Sequence, residues 1–322
     1  MRRFYGARAD TAFRSGRAPD RQQEVLMAHA GRPFGLLRNL NAKVAAIPMM
    51  LTVIVIFIGC TLWTVFYSFT SSRLLPTSDF VGVDQYSRLF GNSRWNQSVL
   101  NLATYGVCVL TFVFIIGFLL AVLIDQKIRF ENTFRTIFLY PFALSFIVTG
   151  LVWQWILDPG LGVPKVLNDL GLPGGSLALL GDKNTVIYAL VIAGLWQGTG
   201  LVMVLMLAGL RGIDSEIWKA ARVDGIPAWR TYLFIIIPMM RGVFVTTLVI
   251  VASGIVRVYD LVVAMTQGGP GFASEVPAKY VYSFMFERAN LGQGLAASTV
   301  MLVTVFIILV PWALAEFRQK RS

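Results

Sequence analysis

The sequence predicts an all-α membrane protein with six transmembrane helices and both termini in the cytoplasm. Three observations predict it. The 322-residue chain is 56% hydrophobic and 14% charged, with a mean hydropathy of +0.66, whereas soluble domains carry about 25% charged residues. Its apolar residues fall in six blocks, each long enough for the roughly 20 residues that a membrane-crossing helix needs. Its 28 Lys and Arg residues are shared unevenly between alternate connections.

Residues 1–43 hold nine cationic side chains: Arg2, Arg3, Arg8, Arg14, Arg17, Arg21, Arg32, Arg38 and Lys43. They contain no apolar core of the kind a cleaved signal carries. They are expected to stay as a cytoplasmic arm against anionic lipid headgroups, not as a nucleic-acid-binding arm. The first span is Val44–Phe66, followed by an outer segment over 71–98. The second is Val99–Ile124, with Lys127, Arg129 and Arg135 after it. The third is Phe134–Ile156, leaving through Asp158-Pro159-Gly160 into an outer segment to 184 with a second turn at Pro173-Gly174-Gly175. The fourth is Val186–Ala208 and leads into a polar loop over 211–238. The fifth is Val243–Met265, ending in the outer turn Gly268-Gly269-Pro270-Gly271. Leu295–Ala315 is the sixth, and 317–322 form a short basic tail. On this layout 20 cations lie on one side and seven on the other, with Arg257 inside a span. Short cytoplasmic loops carry the Lys/Arg excess, so both termini are assigned to the cytoplasm.

The same inventory excludes several chemistries. Cys60 and Cys108 each sit in an apolar block and build neither a disulfide framework nor a metal site. The one histidine, His29, cannot complete a catalytic triad within the membrane, so no enzyme is expected. There is no Gly-x4-Gly-Lys-Ser/Thr loop to cradle a nucleotide. A secondary carrier would need intramembrane acids for ion coupling, and Asp260 is the single candidate. No inverted repeat is visible.

The loop over 211–238 is the most informative stretch. Asp214 or Ser215 can cap a helix that carries Glu216 in its first turn. That helix continues through Trp218, Lys219, Ala220, Ala221 and Arg222, passes Asp224 and stops at Gly225. A second short helix begins near Pro227 and is expected to present Trp229, Tyr232, Leu233 and Ile236 on one face. Two short helices meeting at a glycine, with exposed aromatics, suit the docking of a partner protein. Glu216 lies within i,i+3 reach of Lys219, where an intrahelical pair can form.

Lys219-Ala220-Ala221, Asp224-Gly225 and Ile235 to Pro238 resemble the loop signature of binding-protein-dependent ABC importer permeases, with Lys219 at the usual Glu and Ile237 at the usual Leu. The resemblance implies the type I ABC importer transmembrane domain over 44–316. It implies that Glu216, Trp218, Lys219, Ala220, Ala221, Asp224 and Gly225 couple the permease to an ATPase. Implied partners are a second permease, two ATPase subunits that bind the ATP and Mg, and an extracytoplasmic binding protein docking on 71–98, 158–184 and 266–290. No cofactor is expected on this chain itself.

The likeness is nearest to the carbohydrate branch, through Phe80–Phe90, Asn101, Tyr140-Pro141, Trp153-Gln154-Trp155, Asp158-Pro159, Trp196–Gly200, Tyr259-Asp260 and Thr266–Pro270. Val258–Ala264 and Glu275–Lys279 look most like permeases for glucose and α-glucosides such as maltose, trehalose or sucrose. A glycerol phosphate permease of the same family and an ion-coupled sugar carrier are the alternatives. Sugar sites need aromatic platforms and a few placed polar groups. The substrate path is accordingly expected at Trp196, Gln197, Gly198 and Thr199, and at Ile255, Arg257, Tyr259 and Asp260. Arg257 and Asp260 are expected i,i+3 on one helical face, and Gly198 and Gly200 are expected to admit a ligand or a neighbouring helix.

Overall fold

Runs of Leu, Ile, Val and Phe this long satisfy their backbone groups internally in a bilayer only as helices, and helices make up most of the described residues. The computed structural model describes residues 40–126, 128–172 and 178–319. Most of the basic arm with His29, Lys127, the Pro173-Gly174-Gly175 turn and the last residues of the tail lie outside them. Among the described residues the β-structure is one isolated bridge, Thr70 to Phe80.

The chain divides into two units, residues 1–59 and 60–322. In the first, α1 (Leu40–Thr52) carries Pro48 and runs into a π-helical stretch, Val53–Gly59. In the second, α2 (Cys60–Tyr67) precedes α3 (Asp84–Phe90) and the long α4 (Ser93–Asp125). Then come α5 (Glu131–Ala143), α6 (Phe146–Ile156), α7 (Val163–Asp169) and α8 (Val186–Arg211). The polar loop holds α9 (Ser215–Val223), α10 (Ala228–Arg230), a π-helical stretch Thr231–Ile236 and α11 (Ile237–Met239). After these lie α12 (Arg241–Val256), α13 (Asp260–Thr266), α14 (Pro277–Tyr282), a π-helical stretch Ser283–Glu287 and α15 (Leu291–Gln319).

Four helices are long and apolar enough to cross a membrane, over Ala46–Tyr67, Ser93–Asp125, Val186–Arg211 and Leu291–Leu314. Two bent pairs raise this to as many as six if each is counted as one span. The expected third span is therefore not straight: α5 and α6 meet at 99°. Pro141 has no N–H to give the helix, and Ser145 starts a new one, its Oγ accepting the Val148 N–H at 3.3 Å. The expected fifth span is also corrected. It ends at Val256, its entry from Ala228–Met239 is bent by 71°, and Asp260 opens a separate helix.

Helix α8 is the centre of the second unit: 61% of its apolar window is buried, against 28% for α4 and for α15. It packs along α4, with Val113 and Ala121 facing Val202, Met203 and Met206 in one core. Gly200 lets the backbone of α5 at Phe138 come closer than any β-carbon would allow.

Candidate functional site

The polar loop forms much as its residue types dictate. The Asp214 carboxylate accepts the Glu216 N–H at 3.0 Å and caps α9. At the other end Gly225 adopts φ +65°, and the Ile226 N–H reaches back to the Ala221 carbonyl at 3.0 Å. This is the glycine-terminated helix end expected from the sequence. Glu216, Lys219, Ala220, Asp224 and Gly225 are exposed, as is Val223 at 85%. Trp218 and Ala221 instead point inward: Ala221 is buried, and the Trp218 ring sits edge-on to Tyr232 at 5.3 Å.

Two expectations are corrected here. No ion pair joins Glu216 to Lys219 among the described residues. Trp229, Tyr232, Leu233 and Ile236 do not share a face, because Ile236 is fully buried while Trp229 and Leu233 are more than half exposed. The segment after Pro227 is π-helical from Thr231. Its wider turn shifts which positions line up.

Beneath α9 lies a cleft of about 540 Å³ that Trp218, Lys219 and Arg222 share with Asp125 and Gln126 at the end of α4. Close by, Arg211 reaches Glu131 at 2.6 Å and Asp125 at 3.5 Å. One guanidinium thus ties together the ends of α4 and α8 and the start of α5. From the sequence Arg211 is one cation among several in the loop over 211–238, and nothing in its neighbours marks these two partners.

The expected substrate residues separate into two groups. Tyr259 and Asp260 line an open cleft of about 790 Å³ with Gln154, Asp158, Thr266 and Gln267. The remaining six do not line it. Trp196 packs edge-on to Trp153 at 6.1 Å. Gln197 is buried, and its Nε2 donates to the Leu144 carbonyl at 2.7 Å, at the break between α5 and α6. Its Oε1 has no hydrogen-bond partner among the described residues. The Thr199 hydroxyl donates to the Leu195 carbonyl at 2.6 Å. A β-carbon on Gly198 would meet only ordinary contact with Val113, so no close neighbour requires glycine there. Ile255 sits against Gly106. Arg257 ends α12, exposed, with its Nε donating to the Ser253 carbonyl at 3.3 Å. The expected shared face for Arg257 and Asp260 is therefore corrected: the helix stops between them.

A buried polar cluster that the sequence reading missed stands at the other end of α4. Arg94 makes two 2.7 Å bonds to the Glu275 carboxylate and a 2.9 Å bond to Ser283, over the Phe272 ring at 4.3 Å. The side chains of Arg94 and Glu275 are 12% and 2% exposed. Asn101 Nδ2 donates to the carbonyls of Phe272 and Glu275 at 3.0 and 2.8 Å. Lys279 pairs with Glu287 at 2.7 Å. That hydrogen bond, with another from Ser283, holds the Glu287 carboxyl below the usual carboxylate range. Burial pushes the Tyr280 phenol up to about 12. The only sequence signal for this cluster was the separate likeness of Asn101 and of Glu275–Lys279 to one branch of permeases.

Residues 113–321 match the family described as binding-protein-dependent transport system inner membrane component. A probable ABC transporter permease of Pyrococcus horikoshii is 34% identical over 271 residues, covering 83% of this chain and 92% of that one. The permease of a glucose import system in Saccharolobus solfataricus is 28% identical over 82% of this chain and 92% of its own. The fold matches the crystal structure of a bacterial ABC transporter that imports the acidic polysaccharide alginate. There the TM-score is 0.74 at 18% identity, over 94% of this chain and 99% of that one.

Proposed function

The chain belongs to the binding-protein-dependent transport system inner membrane component family, and from that premise we propose that it is one permease subunit of an ATP-driven sugar importer. The observation that carries the reading is the loop after α8. It is a capped helix stopped by a left-handed glycine, with Lys219, Val223 and Asp224 turned outward, inside the family-matched region. Such a rigid projection is suited to transmit motion from an ATPase, with Glu216, Lys219, Ala220, Asp224 and Gly225 at the contact. Trp218 and Ala221 anchor it to the helices behind, Trp218 through Tyr232.

On this reading ATP and Mg are bound and hydrolysed by two partner ATPase chains, and this chain does no covalent chemistry. It forms the translocation path with a second permease in the inner membrane, its termini in the cytoplasm. An extracytoplasmic binding protein delivers the cargo. The glucose permease relative supports a sugar, and the stretches Val258–Ala264 and Glu275–Lys279 make glucose or an α-glucoside the first choice.

The test begins with mild-detergent purification of the tagged chain from its host. A second permease and an ATPase chain should co-elute in stoichiometric amounts. The complex, reconstituted with its binding protein, should take up glucose or an α-glucoside only with ATP, and not a glycerol phosphate. A chain that elutes alone and still drives uptake without ATP, but not after collapse of an ion gradient, would overturn the proposal in favour of an ion-coupled carrier.

A further inference from the structure

The 790 Å³ cleft beside α6 and α13 has a lining with a one-sided charge. Its volume falls within the range of about 300–1,000 Å³ typical of small-molecule sites. Asp158 and Asp260 are both among its lining residues, and no Lys or Arg is among them within the described residues. Gln154 and Gln267 supply amide donors and acceptors, and the Tyr259 ring supplies an apolar surface backed by Tyr282 at 5.5 Å. Aliphatic side chains such as Leu151 and Val263 complete the wall.

Each part has a consequence for what the cleft can hold. An aromatic face with amides at its edge matches the apolar face and hydroxyl rim of a sugar ring. Carboxylates accept hydrogen bonds from hydroxyls and repel anions. The two acids are held differently. Oδ1 of Asp158 is committed to its own turn, accepting the N–H groups of Gly160 at 2.7 Å and Leu161 at 2.9 Å. Asp260 makes no side-chain hydrogen bond among the described residues and is exposed at the start of α13.

We infer that this cleft is a sugar vestibule of the permease, and that Asp158 and Asp260 make it select uncharged sugars over acidic ones. The inference deepens the sugar-import reading and rests on it. Tyr259 is the platform, Gln154 and Gln267 are rim contacts, and the carboxylate pair is the charge filter.

The test uses the assembled transporter in nanodiscs and needs no binding protein. Saturation-transfer NMR compares methyl α-glucoside with methyl α-glucuronoside, which differ only in a carboxylate at C6. The parent should saturate the glucoside about tenfold more strongly than the glucuronoside. Asp158→Asn with Asp260→Asn should bring the two within about twofold by raising the glucuronoside signal. Asn keeps the oxygen that the 158–161 turn requires. Should that double variant lose its parental Tm, Asp260→Asn alone decides, since it breaks no bond within the fold. Tyr259→Ala should lower the glucoside signal about threefold or more in both backgrounds. Equal saturation of the two probes by the parent, or unchanged discrimination in a folded Asn variant, would overturn the inference. So would no saturation by either probe while ATP-driven sugar uptake proceeds. Absence of such uptake would instead remove the import reading on which the vestibule depends.

Discussion

At the scale of single residues, the most consequential arrangement is one that composition conceals. Arg94 and Glu275 are 181 positions apart and look like two ordinary outer-loop charges, yet the pair is almost fully removed from solvent. Two buried charges of this kind are tolerated because each satisfies the other, and removing one leaves its partner uncompensated at a cost of about 3–5 kcal/mol. Glu275→Gln should therefore lower the Tm of the detergent-solubilised protein sharply, whereas Arg94→Met with Glu275→Leu should recover most of the loss. A double variant as unstable as the single one would show that the pair does more than cancel charge. Glu287 shows the opposite regime. Its side chain is 47% exposed, and its carboxyl is lowered first by the Lys279 hydrogen bond and then by that of Ser283. A depressed carboxylate stabilises above its unfolded value, about 4.3, and that contribution is lost as pH falls through the lower folded value. The Tm gap between parent and Glu287→Gln should be constant near neutrality and close in acid below about pH 4. A gap that widens on acidification would contradict the sign.

Elements show where sequence reasoning reaches and where it stops. Ala46–Tyr67, Ser93–Asp125, Val186–Arg211 and Leu291–Leu314 were legible because an uninterrupted apolar run in a bilayer has one solution, the helix. Breaks within runs were not legible. The chain is apolar on both sides of Leu144-Ser145, where it turns by 99°, and besides Pro141 and the Ser145 cap the turn is held by a tertiary bond from Gln197 to the Leu144 carbonyl. The residue expected to touch substrate thus braces a bend. Gln197→Leu leaves that carbonyl without its donor, a loss of about 1–3 kcal/mol, and should lower Tm with little change in the KM for sugar. A raised KM at unchanged Tm would return Gln197 to the substrate path. Likewise the end of α12 at Val256 was hidden because Val258 to Met265 are again mostly apolar. The polar loop was legible to its caps because Asp214 and Gly225 act through local geometry. Its π-helical continuation was not, since no residue type marks that turn. A β-carbon at Gly225 would have open space around it and would meet only the penalty of φ +65°, about 1–2 kcal/mol for an L-residue. Gly225→Asp should accordingly insert and accumulate at parental levels while uptake falls below about a tenth, as expected if the change spoils docking more than folding. Parental uptake by that variant would sink the role given to this helix end.

For the whole molecule, charge and apolar surface together set the placement in the membrane. Exposed Phe57, Phe112, Ile115, Leu119, Phe306 and Ile307 leave a chain that only lipid or other apolar helices can cover. The long helix α8, by contrast, is mostly enclosed by its own neighbours. The 20-to-7 division of Lys and Arg across the alternate connections favours a loop with Arg211, Lys219, Arg222, Arg230 and Arg241 on the inside. That side is also where an ATPase would have to meet α9, so orientation and proposed mechanism stand or fall together. The check is cysteine accessibility in a background with Cys60→Ala and Cys108→Ala. Asn168→Cys, exposed at the end of α7, should react with a membrane-impermeant maleimide in intact cells. Ala220→Cys, exposed on α9, should react only after the membrane is opened. The reverse pattern would place the α9 loop outside, where no ATPase could reach it, and would remove ATP coupling from the account of this chain.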